Sequence, residues 1–231
     1  MALLVIEGLD GAGKSTQVGL VQNYLNNKGL KYEYLHFPRI DSPVYGDLIA
    51  RFLRGELGDI NNVNPYLVAL IYAGDRADAK LMLDKWLNQG STVILDRYVY
   101  SNIAYQCAKI KDIQQKDTLK SWILETEFGY FKLPKPDMNI FLDVPINFTK
   151  RKLTEARSGS DRSYLNGQRD IHEDDLDFQS RVRDVYLSLE GEDCFERIDC
   201  SCNDESILPP EDIFEKLVKL LNSKQIINSG Y

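Results

Sequence analysis

Residues 8 to 16 read GLDGAGKST and satisfy the pattern G-x-x-x-x-G-K-[ST] through Gly8, Gly13, Lys14 and Ser15. The apolar run Leu3-Leu4-Val5-Ile6 enters this loop, and Val18, Leu20, Val21 and Leu25 follow it with the spacing of an amphipathic helix. Strand, glycine loop and helix together make a Walker A element. Its glycines let successive backbone N–H groups turn inward on phosphate oxygens, and the helix adds its positive N-terminal end. Lys14 is spaced to reach the β- and γ-phosphates, and the Ser15 hydroxyl can ligate Mg²⁺. The pattern alone also fits a glycine turn with a surface lysine, but the flanking strand and helix decide for the phosphate loop. The residues expected to hold a nucleoside triphosphate are therefore Gly8, Leu9, Asp10, Gly11, Ala12, Gly13, Lys14, Ser15 and Thr16.

The first apolar run is continuous rather than alternating, as a strand buried on both faces of a parallel sheet requires. Further strands are expected over Lys31 to Phe37, Ser91 to Asp96, Met138 to Val144 and Phe195 to Cys200. Helical stretches run over Asn64 to Asn88, Asp112 to Phe128, Asn147 to Arg157, Ile171 to Glu190 and Pro210 to Asn222. Strands alternating with helices give an α/β fold, a mostly parallel sheet covered on both sides. Phe178, Val182, Val185 and Leu189 form a core-facing stripe. Phe37 to Pro43 reads as a loop after the second strand, and Ala156 to Asp170, rich in Ser, Gly, Arg and Asp, as a lid. The tail from Lys224 to Tyr231 is expected to fray. No repeat or low-complexity linker splits the chain, so one domain over 1–231 is expected, with the lid at about 150–172 inside it.

Charge narrows the partners. Across 231 residues, 28 Lys and Arg face 35 Asp and Glu, a net charge of −7. A nucleic-acid protein binds phosphate through summed positive charge, which this composition lacks, so any affinity for phosphate must be local. No stretch is long and apolar enough to cross a bilayer and no signal-like segment opens the chain; a cytoplasmic protein without membrane partners is expected. The four cysteines are too few and scattered for a disulfide scaffold and read as free thiols. With two histidines, a zinc site or a His-based triad has little to be built from.

A phosphate loop leaves the acceptor open. A GTPase switch also needs Asn-Lys-x-Asp and a separate Asp-x-x-Gly, and the only Asp-x-x-Gly is Asp10 to Gly13, within the loop itself. An ATPase that drives a partner needs an acidic strand end, which Ser91 to Asp96 could supply, so that alternative stands at this point. Three clusters follow strand ends or face them: Phe37-Pro38-Arg39, Tyr72-Ala73-Gly74-Asp75-Arg76, and Asp96-Arg97-Tyr98 with Ser101 to Tyr105. In open α/β sheets the carboxyl edge is where ligands bind. Singly, these arginines read as surface ion-pair partners and the aromatics as core. Together they offer ring stacking, paired hydrogen bonds to a base edge and guanidinium contacts to phosphate.

The ordered set GLDGAGKST, FPR, YAGDR, DRYVYSNIAY and LPKPD, followed by an arginine-bearing lid and an acidic helix start, closely resembles the thymidylate kinases over roughly residues 3 to 190. The resemblance implies a three-layer P-loop NTPase fold with a five-stranded parallel sheet, transfer of the ATP γ-phosphoryl to dTMP with Mg²⁺, and a homodimer. It implies that Asp10 contacts the acceptor sugar, Tyr72 stacks on the base with Phe37 bordering it, Arg76 and Asn102 read the O4 and N3 edges, and Tyr105 crowds the sugar C2′. It puts Arg39 and Arg97 on the acceptor phosphate, Asp96 beside the metal through water, and Glu173 near the sugar. Gly11 stands where one subgroup carries an arginine, so the catalytic cation is expected from the lid, from Arg157 and Arg162 ahead of Arg151. His172 replaces a frequent tyrosine, and Ile40 follows Arg39 where some relatives carry a polar residue. Ser201 to Ser206 is expected beside the adenine. A related deoxynucleotide or deoxynucleoside kinase is the alternative within the class. Leu67, Leu70, Ile71, Leu81, Leu83 and Trp86 exceed what one core face of the long helix needs, and a homodimer would cover the excess.

Overall fold

The computed structural model describes residues 2–60, 62–154, 165, 170–202 and 206–227. Strands β1 (Leu3–Gly8), β2 (Tyr32–His36), β3 (Thr92–Asp96), β4 (Met138–Asp143) and β5 (Phe195–Asp199) form a parallel sheet in the order β2-β3-β1-β4-β5. The central strands β1, β3 and β4 are buried along their whole length, which accounts for their unbroken apolar sequence. Edge strand β2 is half-exposed. The expected strand boundaries hold to within one or two residues.

Helix α1 (Lys14–Asn27) starts from Gly13, whose φ of 81° lies in the left-handed region and is accessible to glycine at little cost. Its core face carries Val18, Val21 and Leu25, and Leu20 is only half-buried. Helix α3 (Pro65–Asn88) is capped by the Asn64 side chain, which accepts from the Tyr66 N–H at 2.9 Å, with proline at the first helical position. Helices α6 (Ile146–Thr154) and α9 (Pro210–Ser223) lie close to the expected spans over the described residues. Phe178, Val182, Val185 and Leu189 are all buried, as their spacing requires.

The structure departs from these expectations at five places. Helix α2 (Tyr45–Leu53) and helix α4 (Val99–Cys107) had no counterpart in the sequence reading. Every residue of α4 is buried, so no polar face marks its period, whereas α2 is short and follows a proline-containing loop. Its Tyr45 ring packs so tightly on α3 that a Cβ at Gly74 would stand 2.2 Å from it. The stretch expected as one helix from Asp112 to Phe128 is α5 (Ile113–Leu124) followed by a π-helical turn, Glu125–Tyr130. The helix expected over Ile171 to Glu190 is broken into α7 (Ile171–Asp174) and α8 (Leu176–Ser188) by Asp175, whose side chain caps α8 at the Phe178 N–H, 2.8 Å. Finally, the tail does not fray at once: Ile227 is buried against the core and the Ile226 N–H bonds Leu221 O at 3.0 Å.

All four cysteines are free. No described helix is long and apolar enough to cross a membrane.

Candidate active site

Because β3 lies between β2 and β1, three segments distant in sequence open on one edge of the sheet: residues 8–16, running from β1 into α1, 37–43 after β2, and 97–105, running from β3 into α4. They line a cleft of about 1060 Å³ that contains Asp10, Gly11, Ala12, Gly13, Lys14, Ser15, Thr16, Phe37, Arg39, Tyr72, Arg76, Asp96, Arg97, Asn102 and Tyr105. Nearly every residue singled out from the sequence therefore reaches one space. Gly8 and Leu9 support the loop from below, both buried. Arg157 and Arg162 lie outside the described residues. So does the Glu173 side chain, although its backbone belongs to α7.

At the phosphate loop, the Lys14 ammonium donates to Leu9 O at 3.0 Å and Gly8 O at 3.4 Å. Burial, reinforced by the nearby Arg97 charge, pushes its pKa down to about 8. The Ser15 and Thr16 side chains stand exposed at the cleft. Asp96 is buried with Oδ2 3.4 Å from His36 Nδ1, and its Oδ1 has no hydrogen-bond partner among the described residues. Burial raises its pKa, but the His36 hydrogen bond and the Lys14 charge outweigh that and hold the carboxyl below its ordinary value.

Arg97 joins the phosphate loop to the opposite wall of the cleft. Its φ of 68° is left-handed, rare for a residue with a side chain and stored as strain where function repays it. Its guanidinium donates to Asp10 Oδ1 at 2.6 Å, Ser101 Oγ at 3.2 Å and Tyr105 O–H at 3.2 Å, and it stacks 5.1 Å over the Tyr105 ring. Asp10 Oδ2 accepts from the Tyr105 hydroxyl at 2.7 Å and from Gln179 Nε2 at 3.1 Å. Burial works against the Asp10 charge, yet Arg97 and Lys14 together hold its carboxyl well below the usual range. Beneath this layer Glu7 is fully buried, accepting from the Tyr98 and Ser101 N–H groups, the Ser101 hydroxyl and the Tyr186 hydroxyl. It thus caps α4, which has no side-chain cap of its own.

Arg39 is tied to α3: its Nε bonds Asp75 Oδ1 at 2.9 Å and its Nη2 bonds Asp78 Oδ2 at 2.6 Å. Asp75 also accepts from the Arg39 N–H and the Ser42 hydroxyl, so one buried carboxylate fixes the whole loop after β2. Phe37 packs on Tyr98 at 5.9 Å. Deeper in the cleft Arg76 pairs with Glu127, and Asn102 bonds the same carboxylate. His172 lies among Phe52, Tyr105 and Phe178, where burial, reinforced by the Lys109 charge, pushes its pKa down to about 3 and keeps it neutral.

Glu7, Asp75, Glu127 and Gln179 escaped the sequence reading. Asp75 stood next to Arg76 in the YAGDR cluster, and its role was within reach. Glu127 and Gln179 sit in helical stretches with no local mark, and burial is what distinguishes them. Near the adenine expectation, the Cys202 N–H bonds Ser206 O at 2.9 Å, and residues 203–205 lie outside the described residues.

A parallel sheet in this order and a glycine loop feeding α1 define a P-loop NTPase fold, and arginines line the opposite wall of the same cleft. The sequence model of the family described as "Thymidylate kinase" matches residues 6–207. The chain belongs to the thymidylate kinase family. Similar proteins include a thymidylate kinase of Mycobacterium tuberculosis, 35% identical over 81% of this chain and 85% of that one. Another is the thymidylate kinase of Plasmodium falciparum, 28% identical over 94% and 90%. The solved thymidylate kinase of Candida albicans superimposes with a TM-score of 0.73 at 24% identity, covering 98% of this chain and 95% of that chain, a likeness of fold.

Proposed function

We propose that the protein transfers the γ-phosphoryl group of ATP to the 5′-phosphate of dTMP, forming dTDP and ADP. The observation that carries this reading is the single cleft in which the phosphate loop faces Arg39, Tyr72, Arg76, Arg97, Asn102 and Tyr105. A partner-driving ATPase has no use for a second, base-sized half opposite its phosphate loop.

Phosphoryl transfer requires positioning and charge neutralisation more than covalent help, which suits a site without a histidine base or reactive thiol. In this reading the loop amides and Lys14 hold the donor phosphates. Arg97 and Arg39 orient the acceptor phosphate in line with them. Asp10, kept ionised by Arg97, accepts from the sugar hydroxyl, and Tyr105 borders C2′ together with neutral His172. Tyr72 covers one face of the base and Phe37 borders it. Glu173, whose side chain lies outside the described residues, is assigned to the sugar by the resemblance alone. The donor set also fits Mg²⁺, since Asp96 Oδ1 is a buried acceptor without a hydrogen-bond partner among the described residues and the exposed Ser15 lines the same cleft. Ser15 and Asp96 would hold the ion, which when bound neutralises phosphate charge. Among the described residues no larger group of His, Cys, Asp and Glu converges; Mg²⁺ is ordinarily bound through one or two protein groups and the phosphates themselves. The chain is read as one kinase domain over 1–231, with lid arginines Arg157 and Arg162 supplying the catalytic cation.

A coupled assay with ATP and dTMP, dUMP, dCMP, thymidine or no acceptor tests the reading. ADP release should depend on dTMP, and release at the same rate without acceptor would refute kinase activity. In the same assay Arg157→Ala or Arg162→Ala should lower kcat about 100-fold with a smaller change in the KM for dTMP. Normal kcat in both would move the cation to Arg151 or elsewhere.

The homodimer is supported by α3. Leu67, Leu70 and Leu81 are 61%, 43% and 82% exposed, whereas Leu83 is buried and Ile71 and Trp86 are half-buried. Exposed leucines along one helix are a common mark of an interface. Sedimentation equilibrium should return twice the chain mass, and a monomer at assay concentration would exclude the dimer.

A further inference from the structure

Glu127 belongs to the π-helical turn after α5, where the Phe131 N–H donates to Thr126 O at 2.9 Å. Such turns are frequent at functional sites. The carboxylate is fully buried. Its Oε2 accepts from Arg76 Nε at 2.5 Å, and its Oε1 accepts from Arg76 Nη2 at 2.7 Å and from Asn102 Nδ2 at 2.9 Å. Asn102 Nδ2 also donates to Ala69 O at 3.0 Å. Turning this amide over would set its carbonyl oxygen against a carboxylate and a second carbonyl, so the chemistry of its neighbours allows one orientation only.

That orientation directs Oδ1 away from both acceptors. Oδ1 is buried, has no hydrogen-bond partner among the described residues, and belongs to a side chain that lines the cleft. A buried acceptor without a donor is costly, and a ligand N–H removes the cost. The same carboxylate fixes the plane of the Arg76 guanidinium and leaves its Nη1 end, which can only donate, outside the pair.

We infer that Glu127 is the positioning residue for base choice, holding Asn102 as an acceptor and Arg76 as a donor side by side. A base with an N–H next to a C=O satisfies both, which is the edge of thymine and uracil. Cytosine offers a ring-nitrogen lone pair to Oδ1 and an amine to Arg76, so it is opposed at both positions. The inference rests on the dTMP-kinase reading above and adds to it the group that enforces the base.

The test is kcat/KM with ATP and dTMP, dUMP or dCMP for wild type, Glu127→Gln and Glu127→Asp, with thermal melting as the fold control. Glutamine keeps one acceptor oxygen, which can still receive Asn102 Nδ2 and Arg76 Nη2, but it turns an NH₂ group against Arg76 Nε and removes the charge that fixes the guanidinium. Aspartate keeps the charge that Arg76 needs and with it the fold, but is one methylene too short to hold both partners. The preference for dTMP over dCMP should fall at least about tenfold in Glu127→Gln and by less in Glu127→Asp, with the dTMP-to-dUMP ratio unchanged. A folded variant that slows all three acceptors equally, or none, overturns the inference, because a merely structural carboxylate would not alter the ratio. Should Glu127→Gln not fold, Glu127→Asp decides. Failure of the wild type to phosphorylate dTMP would instead overturn the parent reading, so the two failures are distinct.

Discussion

Lys14→Met should lower kcat roughly 1000-fold while the protein stays folded. In the structure Lys14 is buried and its ammonium donates to the carbonyls of Gly8 and Leu9. Burial pushes its pKa down to about 8, so the fold holds the charge at a cost. Methionine keeps the packed stem and removes that cost, and the melting temperature should therefore hold or rise. On the proposed reading the charge serves the donor phosphates rather than the stability of the fold. Steady-state kinetics with ATP and dTMP, beside a melting curve, check both halves. Turnover within tenfold of wild type would remove Lys14 from the reaction, and a collapsed melting temperature would make it a structural residue.

Arg97→Ala should reduce kcat/KM for dTMP by about 100- to 1000-fold, and Arg97→Lys should recover little of it. The guanidinium contacts Asp10, Ser101 and Tyr105 at once, from a strained left-handed backbone. Lysine keeps the charge but not the planar fork that spans those groups. Removing the charge also leaves Asp10 with Lys14 as its remaining close cation, so its position and ionisation suffer together. The fold should survive, because α4 is capped from below by Glu7 rather than by Arg97. Near-normal kcat/KM in the alanine variant, measured at several dTMP concentrations, would leave the acceptor phosphate to Arg39 alone.

The residues that were legible in the sequence share a property: their neighbours in the chain announce them. The phosphate loop has Leu3 to Ile6 before it and the Val18, Val21, Leu25 stripe behind it, and strand and helix formed where those periods put them. Arg39 and Arg97 stood in clusters after the ends of β2 and β3. Helix α4 was missed because a helix buried on every side has no amphipathic period to read. The Ile171 to Glu190 stretch kept its period through a break that Asp175 makes by capping. The π-helical turn was read as plain helix because local sequence distinguishes the two poorly.

By itself the sequence determined a buried strand running into a phosphate-binding loop, a parallel α/β sheet, and the set of side chains able to hold a nucleotide. Those properties depend on residues close together in the chain, through propensity, period and backbone freedom. The tertiary structure decided the pairings. Placing β3 between β1 and β2 set Arg97 against Asp10 and Tyr105, and the packing of α5 against α3 and α4 brought Glu127 to Arg76 and Asn102. Charges separated by 51 and 87 positions leave no local pattern, and their energies exist only when the core removes water from around them.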